Sequence, residues 1–280
     1  MNASKQGSLV VVGTGISVAG QLTLITQNHI RQADIVFVAI PNKPGIEFIK
    51  SLNSNTHTLT DLYEVGKSRV QTYQNMCDRI TQSVESGLKV CAAFYGHPGV
   101  FVTPSHRVID TLRDRGFSVR MEPGISAEDC LIADLGIDPA EYGCQSYEAT
   151  QFLFRRYTLD PYMTQIIWQI WGVGDHKVKS TLEQSTTGLT ILTEQLLNHY
   201  PNNHKVIIYE AKTSPLFVTR MEEISLAELP TASLTAISTL VIPSLGLPEF
   251  NQAVIDKLGI TVDDIKNNLS LESFNKEKSL

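Results

Sequence analysis

Four apolar runs of strand length recur in the first half of the chain: SLVVVG (8–13), DIVFVAI (34–40), KVCAAFYG (89–96) and FSVRMEPG (117–124). Each is separated from the next by segments of helical periodicity. GQLTLITQNHIRQA (20–33) sets Leu22, Ile25 and Ile30 on one side at helical spacing. SRVQTYQNMCDRITQSVESG (68–87) sets Val70, Tyr73, Cys77, Ile80 and Val84 on one stripe. GIEFIKSL reads as a short helix, and PSHRVIDTLRDRG (104–116) opens on proline and closes on glycine, as a helix does. Strands spaced by helices at these lengths predict βαβ units and a mostly parallel sheet.

A second unit follows. ISAEDCLIADLG (125–136) predicts a helix with Ser126 and Asp129 as a capping pair. TQIIWQI, KVIIYEA and LTAISTLVIP are further apolar runs, TTGLTILTEQLLNHYP (186–201) is a helix between two of them, and VTRMEEI suits a hairpin partner. The prediction is therefore two α/β domains, at 7–124 and 125–248, with a polar tail at 249–280 that carries one or two weak helices.

The composition bounds the function. Of 280 residues, 42% are hydrophobic and 19% charged, with a formal net charge of -6. The acidic balance speaks against a nucleic-acid partner. No apolar run approaches the roughly 20 residues that span a bilayer. The opening MNASKQGS has no signal-peptide core, and the four cysteines (77, 91, 130 and 144) form no CxxC. These features predict a reduced, cytoplasmic protein without a membrane partner. The seven histidines lack ligand spacing, so no metal site is expected.

Two loops fall at carboxyl ends of predicted strands, where sheets of this class bind ligands. VGTGISVAG (12–20) is not GxGxxG and lacks a ribose-binding acid, so a tight strand-to-helix turn is expected there. FYGHPGVFVTPSHR (94–107) brings Gly96 and Gly99 close to any ligand, with His97 able to add a hydrogen bond. His106 reads as a capping or surface residue. Arg69 and Tyr73 are four apart and share a helix face. A guanidinium beside a phenol favours the phenolate, so the pair is a candidate base. A core tyrosine with an arginine running past it fits the same spacing. Tyr63 lies in the polar loop ahead of that helix.

In order, VGTGISVAGQLT, ADIVFVA, YGHPGVFVTPSHR, MEPGISAEDCLIADLGIDP, IIYEA and ISTLVIP resemble the tetrapyrrole methylase superfamily over roughly residues 8–245. Porphyrin and corrin methylases of that group usually carry aspartate at the position of His97, and proline at that of Ile16. The histidine form, with DLY…R…TY upstream and MEPGISAEDCL downstream, is similar to borosin peptide α-N-methyltransferases. NNLSLESFNKEKSL does not look like a fused, valine- and isoleucine-rich substrate core. That points to the bacterial split type, with its precursor protein supplied in trans.

The resemblance implies the fold, the cofactor and the site. The fold is two α/β domains of the class III type with S-adenosylmethionine (SAM) in the cleft between them, and the product is S-adenosylhomocysteine (SAH). Tyr73, helped by Arg69, removes the amide proton, and Tyr63 and Tyr95 orient the amide and hydrogen-bond its oxygen. Tyr95, His97, Val100 and Phe101 face the cofactor. Ser126 and Ala127, at a helix N-terminus, suit its carboxylate. Gln169, Tyr209, Ala211, Ser238 and Thr239 are carried over from the family alone. A homodimer is implied, a heterotetramer with the precursor, and an interlocking arm for which 42–68 is the candidate. A tetrapyrrole C-methyltransferase and a catalytically silent peptide-binding module remain as alternatives.

Overall fold

The computed structural model describes residues 7–64, 66–175, 184–214 and 216–268. The tail NNLSLESFNKEKSL falls outside them from residue 269. Among the described residues no helix is long and apolar enough to cross a membrane.

The first sheet is wholly parallel. Its strands are β1 (Ser8–Gly13), β2 (Ile35–Ala39), β3 (Thr56–Thr58), β4 (Lys89–Phe94) and β5 (Ser118–Glu122), in the order β3-β2-β4-β1-β5. The connections run through α1 (Val18–Gln21), α2 (Leu24–Gln32), α3 (Lys43–Leu52), α4 (Arg69–Glu85) and α5 (Thr103–Asp114). Both faces are covered, which is why these strands read as continuous apolar runs. Val12, Val36, Val38, Cys91 and Ala93 pack under α1 to α3, whereas Leu9, Val11, Phe37, Ala92 and Phe94 pack under α4 and α5. Burial pushes the Cys91 thiol up to about 12 and that of Cys77 up to about 11, so both are inert packing groups.

The second sheet is mixed. It is built from β6 (Cys144–Glu148), β7 (Thr164–Trp168), β8 (Lys205–Glu210), β9 (Arg220–Ser225) and β10 (Thr239–Ile242), in the order β6-β7-β10-β8-β9. Only β6 and β7 run parallel; β10 is antiparallel to β7 and β8, and β9 returns against β8 as the expected hairpin. The helix after the first sheet, α6 (Ala127–Leu135), covers one face through Leu131 against Ile166, Trp168, Ile207 and Val241. After the short α7 (Pro139–Tyr142), the other face is covered by α8 (Ala149–Phe154) and α9 (Thr186–Leu196), through Phe152, Leu189, Leu192 and Leu196. Past the sheet, α10 (Gln252–Leu258) and α11 (Val262–Asn268) are the weak helices foreseen for the tail.

Several expectations are corrected. The stretch 20–33 is not one helix, because extended Leu22 and Thr23 divide it, and Ile25, within α2, is exposed rather than buried. On α4 the buried stripe runs through Thr72, Met76, Cys77, Ile80 and Val84; Val70 is 63% exposed. The run 234–243 is strand only over Thr239–Ile242. Segment 42–68 is not a free arm, because α3 and β3 fold into the first sheet and Ile49 and Leu59 are fully buried. Strand β6, polar in sequence, was not anticipated.

Within the first unit, two ligand-facing loops meet through backbone. The loops after β1 and β4 pair as an isolated antiparallel bridge, with Gly15 N–H donating to Gly96 O at 3.3 Å and Gly96 N–H to Gly15 O at 3.0 Å. At the end of β1, a Cβ on Gly13 would lie 2.8 Å from Pro98 Cδ and 2.9 Å from Gly124 Cα. No side chain fits that junction. Gly13→Ala is therefore expected to cost about 1–3 kcal/mol by overpacking, read as a lowered midpoint in thermal or denaturant unfolding.

Candidate active site

Residues 94–107 form the wall of a cleft. β4 delivers Phe94 and Tyr95 to its carboxyl end, where Gly96 takes a left-handed φ of +71°. His97 then turns back on its own loop, its Nδ1 accepting from Gly99 N–H at 2.9 Å. That bond leaves Nε2 as the proton-bearing nitrogen of the neutral ring. Ser105, fully buried, donates to the carbonyls of Pro98 and Val102, and His106 Nε2 meets Gly99 O at 2.9 Å. The loop is thus fixed from the first turn of α5.

Opposite lie the ends of the second sheet. Ser126 caps α6 in a complete box, its Oγ accepting from Asp129 N–H while Asp129 Oδ2 takes the Ser126 N–H at 2.6 Å. Trp168 donates from Nε1 to Ser146 Oγ at 2.7 Å and packs against Phe101 with ring centroids 6.1 Å apart. Tyr209 is buried and donates to Asp134 Oδ2 at 2.8 Å; burial first, then that carboxylate, push its phenol far above the ordinary value. Gln21 ties the two walls together: its Oε1 accepts from Ile16 and Ser17 N–H, and its Nε2 donates to Cys130 Sγ at 3.3 Å.

The cleft holds a cavity of about 380 Å³, within the range of small-molecule sites. It brings together Tyr63, Tyr73, Tyr95, His97, Val100, Phe101, Ser126, Ala127, Gln169, Tyr209, Ala211 and Thr239. Two expected residues stand elsewhere. Arg69 lines an adjoining cavity of about 600 Å³ that shares Tyr73, Phe101 and Gln169 with the first. Ser238 lies behind the wall, its hydroxyl donating to Glu210 Oε1 at 2.5 Å and accepting from Thr235 N–H. With Arg220, which bonds the same carboxylate at 2.8 Å, it holds the segment that presents Ala236 and Ile237 to the cleft.

Sequence reasoning missed Trp168, Met76, Ile237 and Glu128 on this wall. The first three carried no signal distinct from core residues. Glu128 stood beside the capping pair and was readable only as a first-turn acid.

The electrostatics separate the tyrosines. Burial first, then the neighbouring Tyr73, push the Tyr63 phenol up to about 12, while Arg69 pulls the other way. Tyr95 also rises to about 12, chiefly through burial. Both are therefore hydrogen-bond donors over the ordinary pH range.

Among the described residues, Phe101 and Gln169 are the two non-glycine residues with positive φ, at +56° and +61°, and both line the cleft. Such conformers cost on the order of 1–2 kcal/mol and mark sites where geometry is held for function. The Gln169 side chain is exposed and outside the core. Gln169→Gly is expected to raise stability by about 1 kcal/mol while weakening ligand binding, as read by paired unfolding and calorimetric titration.

Comparison with known proteins supplies the lineage. A methyltransferase/ribosomally synthesized type III borosin cyclic peptide precursor from Anomoporia bombycina is 39% identical over 262 residues, which is 91% of this chain and 30% of that protein. A type I counterpart from Gymnopilus junonius is 36% identical over 91% of this chain and 61% of its own length. This chain thus spans between about a third and three-fifths of these two relatives. Among solved structures, uroporphyrin-III-C-methyltransferase from Thermus thermophilus superposes with a TM-score of 0.63 at 16% identity, over 88% of this chain and 99% of that one, which speaks to the fold. Residues 8–229 match the family described as Tetrapyrrole (Corrin/Porphyrin) Methylases, and the chain belongs to that family.

Proposed function

We propose that this chain is a SAM-dependent methyltransferase that acts on backbone amide nitrogens of a ribosomally made precursor peptide. The observation that carries the reading is the convergence of Tyr63, Tyr73 and Tyr95 on one cleft, with Arg69 on the same helix end as Tyr73. The borosin names of the sequence relatives support the substrate class.

The lining suits such a cofactor. Phe101 and Trp168 offer aromatic faces to a heterocycle, Ser126 and Thr239 offer polar contacts, and Gly96 exposes backbone. Tyr95, His97, Val100, Phe101, Ala127, Gln169, Tyr209 and Ala211 complete the set that would hold it, with Ser238 acting from behind through Glu210. When bound, SAM supplies an electrophilic methyl group, so the chain's own residues need only prepare the acceptor.

An amide N–H is a very weak acid, and its nitrogen lone pair is shared with the carbonyl. Tyr73, one turn after Arg69 on α4, takes the proton. Tyr63 and Tyr95 keep theirs and donate to the amide oxygen as negative charge gathers there. The acceptor enters from the adjoining cavity, where Arg69 and Tyr73 stand together. In this reading 7–124 and 125–248 are the two walls, the active form is a cytoplasmic homodimer, and the precursor is a separate protein that joins it as a heterotetramer.

The reading is tested by intact-mass measurement after incubation with SAM, with and without a candidate precursor. Stepwise methyl additions mapped to backbone nitrogens of the precursor are expected. Additions on the enzyme's own chain would replace the split arrangement with a fused one, and turnover of a tetrapyrrole instead would overturn the substrate class. Tyr73→Phe should lower methyl transfer by at least about a hundredfold with cofactor affinity retained. Because the donor phenols hold their protons to about pH 12, activity should not fall at the ordinary phenol value near pH 10. A pH–rate profile with a descending limb there would remove Tyr63 and Tyr95 from the role.

A further inference from the structure

The cleft carries one charge that none of the roles above uses. Glu128 is the lone carboxylate on its wall, and no lysine or arginine lines it among the described residues. The acid sits in the first turn of α6 next to Asp129, but the two differ. Asp129 is consumed by the capping box with Ser126, whereas Glu128 is free of that box and faces the cavity.

The hydrogen bond beside it has a fixed direction. An indole N–H can only donate, so at Ser146 Oγ the hydroxyl accepts from Trp168. The hydroxyl's own hydrogen is then free to turn to Glu128, and Ser146 pulls the pKa of that carboxyl down. A hydroxyl hydrogen turned that way favours the ionised carboxylate over the acid. Working against this, burial first and Asp129 second raise the Glu128 carboxyl above its ordinary value. The negative charge thus lacks a cation partner on this wall, and an arriving cation would supply one.

The place also matters. Ser146, the partner of Glu128, lines the adjoining cavity, and Trp168 packs on Phe101, which borders both. Glu128 therefore stands near the seam between the two cavities. If the methyl donor fills the first and the acceptor enters from the second, the reacting sulfur lies at that seam.

We propose that Glu128 is the counter-ion for the positively charged sulfur of the methyl donor. This rests on reading the cleft as a SAM site. It assigns Glu128 a second role: SAM bears a positive sulfonium and SAH a neutral thioether, so the attraction disappears once the methyl group has gone. Glu128 thus sorts fresh donor from spent product.

The test is calorimetric titration of the wild type, Glu128→Gln and Glu128→Asp with SAM and with SAH. Glu128→Gln keeps the shape and removes the charge. It is expected to weaken SAM about tenfold while leaving SAH within about twofold, and the unchanged SAH affinity certifies an intact cleft. Glu128→Asp, which keeps the charge, should keep the wild-type ratio of SAM to SAH affinity. Equal weakening of both ligands in Glu128→Gln, no change in either, or loss of the ratio in Glu128→Asp would overturn the assignment. Failure of the wild type to bind either ligand would instead overturn the reading of the cleft.

Discussion

Three backbone segments meet without side chains between them, and the site is built around that meeting. Gly13 ends β1, Gly96 follows β4, and Gly124 begins the crossing into the second unit. A Cβ on Gly124 would lie 2.7 Å from Gly13 Cα and 2.8 Å from Gly96 O. Real Cβ contacts are not that short, so Gly13 and Gly124 need glycine for space, whereas Gly96 needs it for its φ of +71°. Close approach lets Gly15 and Gly96 exchange two backbone hydrogen bonds and locks the ligand-facing loops of adjacent strands to each other. Connections from those two strands leave in opposite directions across the sheet, which is where open α/β sheets place their crevices.

Rigidity then spreads outward. Ser105 and His106 pin the 97–102 turn from α5, and Phe101 is held in a left-handed conformation against Trp168. The second sheet mirrors this with Gln169 at +61° and with Glu210 gripped by Arg220 and Ser238. Gln21 spans both units through Cys130. A cleft assembled from pinned parts loses little entropy when it takes a ligand, which is the physical content of preorganisation.

The first sheet was legible because its strands are buried on both faces and therefore announce themselves as unbroken apolar runs. The capping pair Ser126–Asp129 and the hairpin of β9 on β8 were equally readable from local chemistry. Strand β6 was not, because CQSYE is a half-exposed edge with no apolar run. Val70 and Ile25 misled because periodicity names a helix's apolar side without saying how far the sheet beneath it extends. The cleft residues near the glycine loops were found through ordered motifs. Glu128 and Trp168 escaped because their meaning is relational: one is the only acid on a wall among the described residues, the other a donor that sets a serine's direction. The exclusion of Ser238 from the surface of the cleft likewise required seeing Glu210 behind it.

Arg69 and Tyr73 occupy the first turns of α4, a helix of 17 residues whose later turns are anchored by Met76, Cys77, Ile80 and Val84. Ahead of them Tyr63, Glu64, Gly66 and Ser68 are exposed. That end thus sits at the margin of the core, which Tyr73 touches, beneath a mostly exposed segment. Such a division separates two evolutionary tasks. Glu64 and Gly66 can diverge without displacing the Tyr73 phenol, and under the proposed function the kind of acceptor admitted can change with them. A lineage built this way can change its clientele by editing one short loop and leave its reaction untouched.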